Sequence, residues 1–239
     1  MDLQASIFGL EPFIPLESSR TLAEAAANWL REAILLGRLK PGTKLSQDHL
    51  AKQLQVSRVP LREALQLLTA EGLVEWRAHR TAIVSGLSAE DLAELYALGA
   101  LTEAAAAEEA VSRATQEHID AIGALVDAMA KPDVAPTDWH LINRRFHALL
   151  IEPAQWPRFQ RIISEVRANT GRYVKAYLEV SGNIHRWQDE HREIYQAYRQ
   201  RDAVTVADAI RRHWCHTSDT LQKHLRSSAV LSDANADKA

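Results

Sequence analysis

Apolar residues return every three or four positions through most of this chain, and the period changes in only one stretch. Leu22, Ala25, Trp29, Leu30, Ala33 and Ile34 predict a first helix, ended near Gly37 and followed by a Lys40-Pro41-Gly42 turn. Leu45 fits a short strand. Ser46 is placed to cap a second helix in which Leu50, Ala51 and Leu54 face inward. After a brief turn at Gln55-Val56, Ser57 is the N-cap candidate of a third helix, with Leu61, Ala64, Leu65 and Leu68 as its apolar face. Pro60 falls in the opening turn, where the N–H groups have no intrahelical partner to lose. Two short helices joined so tightly form a helix-turn-helix. Beyond Gly72 the period shortens: Leu73-Val74-Glu75-Trp76 and Ala82-Ile83-Val84-Ser85 read as strands flanking a polar, basic run from Arg77 to Thr81. A basic hairpin after a helix-turn-helix reads as a wing that approaches phosphates or the minor groove.

Gly86-Leu87-Ser88 marks a domain junction, and Ser88-Ala89-Glu90-Asp91 has the form of a helix start. The rest predicts helices over about 89–112, 115–130, 137–151, 156–180, 184–200 and 203–226, with short breaks between them. Helices alternating with short connections indicate an antiparallel bundle. The expected fold is therefore mainly α: a winged helix-turn-helix domain over 20–86 and an antiparallel α-helical bundle over 89–226. Residues 1–19 hold two prolines and no clear period, as in a mobile arm, and 227–239 is small, polar and aperiodic, as in a disordered tail.

Charge alters how the third helix is read. The net charge of −3 is unevenly spread. Residues 20–88 carry 10 Lys+Arg against 6 Asp+Glu, and the remaining residues carry 18 against 25. A basic segment beside an acidic one suggests a polyanion-binding module joined to something else. Arg58 and Arg62, one turn apart, project from the start of the third helix, the geometry that reads a major groove. No apolar run reaches membrane-spanning length, the start lacks a signal peptide's basic and apolar regions, and the single Cys215 suits a reducing compartment, so a cytoplasmic location is expected.

Ile34, Gly37, Pro41-Gly42, Leu45, Leu50-Ala51, Val56-Ser57-Arg58, Pro60, Arg62-Glu63-Ala64-Leu65, Leu68 and Glu71-Gly72-Leu73-Val74 resemble the winged helix of GntR-type bacterial transcription regulators. Leu95-Tyr96, Glu103, Arg145-Phe146-His147, Glu190-His191, Ala197 and the run from Asp202 through Ala207 to His213 resemble the helical ligand-binding domain of the fatty-acid-regulator (FadR/FCD) branch. The resemblance implies a DNA-binding regulator, a repressor rather than an enzyme, bound as a homodimer to a palindromic double-stranded operator and modulated by a small-molecule effector. It implies that Arg58 and Arg62 face the operator, that Ser57 touches a phosphate, and that His79 and Arg80 belong to the wing. A bidentate arginine on guanine is worth about 1–3 kcal/mol of discrimination. Two positions depart from the family: Thr81 stands where the wing usually has glycine, and Asp48 where some relatives place a DNA-contacting arginine.

Among ten histidines, the resemblance selects His147, His191 and His213. Many relatives place an aspartate one turn before the first, and the four side chains hold one divalent metal. Here that position is Asn143, whose amide oxygen can coordinate but adds no charge, with His140 as another potential donor. Three imidazoles and an oxygen suit zinc, nickel or a similar transition metal. The alternatives are a metal-free cluster that binds its ligand directly, or an enzyme-like metal site fused to a DNA-binding module; no HExxH run supports the latter. Many relatives also carry an arginine, for a carboxylate effector, where this chain has Gly99. The cation must then come from elsewhere, with Arg145 and Arg172 as candidates.

Overall fold

The computed structural model describes residues 21–35, 37–77, 81–86, 88–181 and 185–236, apart from the side chains at 136–137, 175–176, 179–181, 185 and 228–236. The arm expected over 1–19 lies outside these residues. The chain divides into two compact units, 1–87 and 88–239, each with its own core.

The first unit contains α1 (Leu22–Leu35), β1 (Lys44–Leu45), α2 (Gln47–Leu54), α3 (Arg58–Ala70), β2 (Val74–Arg77) and β3 (Thr81–Val84). Its antiparallel sheet has the order β1-β3-β2, with Ala82 flanked by Leu45 and Trp76. Leu30, Leu61, Leu65 and Leu68 are buried between α1 and α3, as their helical spacing requires. Arg31 on α1 forks onto Glu71 at the end of α3, with bonds of 2.7 and 2.5 Å. The turn between α2 and α3 depends on Gln55, which adopts φ 52° and returns its N–H to the carbonyls of Ala51 and Lys52. Ser57 does occupy the N-cap of α3, but its hydroxyl accepts no capping bond. Three residues on stands Pro60, which has no N–H to offer.

The second unit contains α4 (Ala89–Arg113), α5 (Gln116–Met129), α6 (Pro136–Ile151), α7 (Pro157–Ser181), α8 (His185–Arg199) and α9 (Ala203–Ala236), with a 3-10 turn over Glu152–Ala154. Ser88 and Thr115 cap α4 and α5 through bonds of 3.0 and 3.2 Å to backbone N–H groups, and Asp202 does the same for α9 at 3.1 Å. The inner face of α4 is built from small residues, Gly99, Ala104, Ala106, Ala107 and Ala110, which admit α9 closely. At Gly99 the fit is complete: any Cβ there would overlap the indole of Trp214. The last helix does not end at 226 but runs to Ala236, into the stretch read as a tail. Residues 227–236 contain neither glycine nor proline, so nothing in the backbone stops the helix there.

Candidate metal centre

The candidate DNA-contacting side chains sit on short elements of the first unit. Arg58 and Arg62 project from the exposed face of α3, opposite Leu61, Leu65 and Leu68. Arg62, Gln66, Gln47, Trp76 and Arg77 line one surface depression of about 470 Å³, which places the end of β2 beside the helix. Arg58 is held at 2.7 Å by Asp48 of α2. Both partners are more than half exposed, so the pair is exchangeable. His79 and Arg80 lie outside the described residues.

In the second unit, the inward faces of α6, α8 and α9 bring together residues that are far apart in sequence. His147, His191 and His213 each present a ring nitrogen, and these atoms lie within 4.8 Å of one another. All three rings are buried, at 1%, 1% and 5% exposure. Two of them are oriented by carboxylates. His147 Nδ1 lies 2.7 Å from Glu103 Oε1, and His213 Nδ1 lies 2.8 Å from Glu190 Oε2. Arg167 Nη2 is also 2.6 Å from His147 Nδ1, and no single tautomer bonds both. His147 Nδ1–H donates to the Glu103 carboxylate, because Arg167 already donates twice to Glu103 at 2.7 Å. Each Nε2 then carries a free lone pair, the arrangement by which a carboxylate orients a ligating imidazole.

The electrostatics agree with that assignment. Burial first, then the Arg167 charge and His213, hold the His147 imidazole well below its ordinary pKa. Burial and the neighbouring His213, His147 and Arg167 do the same to His191. Both rings are therefore neutral near pH 7 and available as donors. Burial raises the Glu103 carboxyl against the pull of Arg167, whereas His213, His216 and Arg186 overcome burial and lower that of Glu190.

The cluster leaves several polar atoms without partners. His147 Nε2, both nitrogens of His191 and Asn143 Oδ1 are buried and make no hydrogen bond within the protein. Orphaned donors and acceptors are costly in an interior, and a cation held by one nitrogen from each of the three rings would satisfy those of His147 and His191. The residues fit a late divalent metal. Asn143 lines the adjoining cavity with His213, and His140 lines it too, with its ring against Gly171 of α7.

Neither proposed effector arginine reaches that cavity. Arg145 is mostly exposed and stands 3.8 Å from Glu152, while Arg172 is buried beside the Tyr173 ring, 5.9 Å from its centroid. The cation at the centre is Arg167, which sequence reasoning missed. It sits over the Trp214 indole at 4.1 Å, and the same indole fills the space beside Gly99. One signal was present: Arg167 belongs to the inward stripe Ile163, Val166, Thr170 and Val174 of α7, where an unpaired arginine could not be buried.

Comparison with known proteins identifies both units. Residues 22–84 match the gntR family of bacterial regulatory proteins, and residues 94–215 match the FCD domain. The uncharacterized HTH-type transcriptional regulator YdhC of Bacillus subtilis is 26% identical over 83% of this chain and 89% of its own. The gluconate operon transcriptional repressor of the same organism is 24% identical over 84% of this chain and 86% of its own. Among solved structures, Escherichia coli McbR/YncC matches with a TM-score of 0.70 at 20% identity, covering 87% of this chain and 100% of that one. The chain belongs to the GntR family of transcription regulators, in the branch that carries an FCD domain.

Proposed function

We propose that this regulator is a homodimeric repressor of a palindromic operator, and that an organic acid releases or modulates it through a helical domain built around one divalent transition metal. DNA binding through the helix-turn-helix and regulation of transcription follow from the family. The metal reading is carried by one observation: three buried imidazoles bring ring nitrogens within 4.8 Å of one another, and His147 Nε2 and the nitrogens of His191 have no partner within the protein. The two carboxylates beside the rings, Glu103 and Glu190, favour a cation at that point. Zinc or nickel fits a nitrogen-rich set of this kind. His147, His191 and His213 would hold the ion, Asn143 would add a neutral oxygen, and Glu103 and Glu190 would fix the rings. When bound, the metal supplies a Lewis-acidic position for an oxygen ligand.

At the operator, Arg58 and Arg62 are suited to guanine edges. The uncapped hydroxyl of Ser57 remains available to a phosphate, and His79 and Arg80 are assigned to the wing. The relative that acts as a gluconate operon repressor supports repression as the sign of control. An effector alters occupancy only by its differential affinity for the operator-competent and operator-incompetent states. The test is metal analysis of purified wild type and His147→Ala by mass spectrometry, with operator binding measured alongside. About one metal per wild-type chain and a large loss in the variant are expected. Equal, negligible content in both would leave a metal-free cluster that binds its ligand directly.

A further inference from the structure

The space beside the histidines is too small for the ligand proposed for it. Closed in by Trp139, Trp187 and Trp214, it offers about 20 Å³, room for a single water-sized ligand. Sites for organic ligands run to roughly 300–1,000 Å³. Arg144 and Arg167 line this space on one side and, on the other, a groove of about 560 Å³ between α6 and α7. The floor of the groove is apolar, from Leu141, Ala148, Ile151 and Ile163. Its rim is cationic: Arg144, Arg145 and Arg167 face one carboxylate, Glu152, which stands 3.8 Å from Arg145.

We propose that the α6–α7 groove is the effector site, and that it takes an amphiphilic organic anion, a carboxylate on an apolar chain or ring. The inner position at the metal keeps a water-sized ligand only. This rests on the reading that the domain answers to an organic acid and moves the acid to a different site. Charge complementarity decides the occupant: two exposed guanidiniums and a third behind them offer forked donors to a carboxylate. Arg145 is exposed and its contact with Glu152 is long, so an arriving anion displaces little. The apolar floor rewards chain length, at about fourfold in affinity for each methylene buried. The groove also touches the metal centre directly. His147 and Arg167 form part of its wall, and Arg167 donates to Glu103, which orients His147. An anion that draws on Arg167 therefore acts on a histidine that the groove itself reaches.

The experiment measures thermal unfolding of the full-length, metal-loaded protein with acetate, butanoate, hexanoate and octanoate, and with hexanol as the uncharged control. Stabilisation should rise along the series, half-saturation tightening by roughly fifteenfold for every two carbons, and hexanol should have no effect. Ala148→Phe, a substitution at an exposed position that fills the groove, should abolish the octanoate shift while metal content and operator binding stay at wild-type levels. Arg145→Gln should weaken octanoate by about tenfold. The proposal is overturned if none of the four acids shifts the transition, or if the octanoate shift survives in Ala148→Phe. A response that disappears only on stripping the metal, and survives Ala148→Phe, would put the acid at the ion; the organic-acid reading would stand and the groove would not. Dissociation of a dimer by Ala148→Phe, seen in sedimentation, would assign the groove to a second copy of the chain and equally overturn the proposal.

Discussion

Replacing Arg167 with methionine should be among the most damaging single changes in the helical unit. Glu103 is fully buried, and Arg167 gives it two bonds of 2.7 Å through Nε and Nη2. Hydrogen bonds to charged groups contribute about 1.5–3 kcal/mol each. Removing one partner of a buried pair costs about 3–5 kcal/mol, because the surviving charge is left without compensation. Methionine keeps most of the apolar contact with Trp214, so the loss isolates the electrostatic part. Urea unfolding of metal-stripped protein, followed by tryptophan fluorescence, measures it, since four of the six tryptophans lie in this unit. A decrease of about 3–5 kcal/mol is expected. Adding Glu103→Gln should then restore about half of the loss, because the remaining group is neutral and can still accept from His147. The reasoning fails if the single variant lies within about 1 kcal/mol of wild type, or if the double variant is no more stable than the single.

Other expectations concern different parts of the molecule. Arg62→Ala should remove specific operator binding in a gel-shift assay and leave metal content unchanged; retained site-specific binding would take α3 out of its assigned role. Asp48→Ala releases Arg58 from its exposed pair, so affinity for non-specific DNA should rise and the salt dependence steepen by about one ion, with stability altered by less than about 1 kcal/mol. An unchanged salt slope would show that Asp48 does not restrain Arg58. Metal-free protein should lose stability as pH falls below 6.5. His147 and His191 have depressed folded-state values, so the unfolded chain takes up protons first, at up to about 1.4 kcal/mol per pH unit for each ring. Urea midpoints that stay flat between pH 7 and pH 5 would contradict the burial of neutral imidazoles.

The fold was largely legible because its determinants are local. Ser88 announces a helix start, and Leu61, Ala64, Leu65 and Leu68 define a face through spacing alone. The pairing of Lys44–Leu45 with β3 depends on contacts across some 40 positions, and Leu45 gave only a hint of it. The continuation of α9 past 226 went unseen because a polar, aperiodic surface was taken for the absence of helix. At the centre, the three histidines were legible through family spacing. Arg167 was not, since its partner Glu103 lies 64 residues away and its packing against Trp214 depends on the absence of a side chain at Gly99. Such compensation is a property of three-dimensional neighbours, and no period in the chain records it.

The contact between Gly99 and Trp214 also constrains how this domain can change. An arginine at 99 cannot be introduced by one substitution, because the indole already occupies its path. Shrinking Trp214 alone opens a cavity and removes the surface on which Arg167 rests. Each single step crosses a stability valley, and only the paired exchange reaches the other arrangement. The two residues thus behave as one epistatic locus, and a library that remodels this centre must vary them together, with Arg167 as a third member.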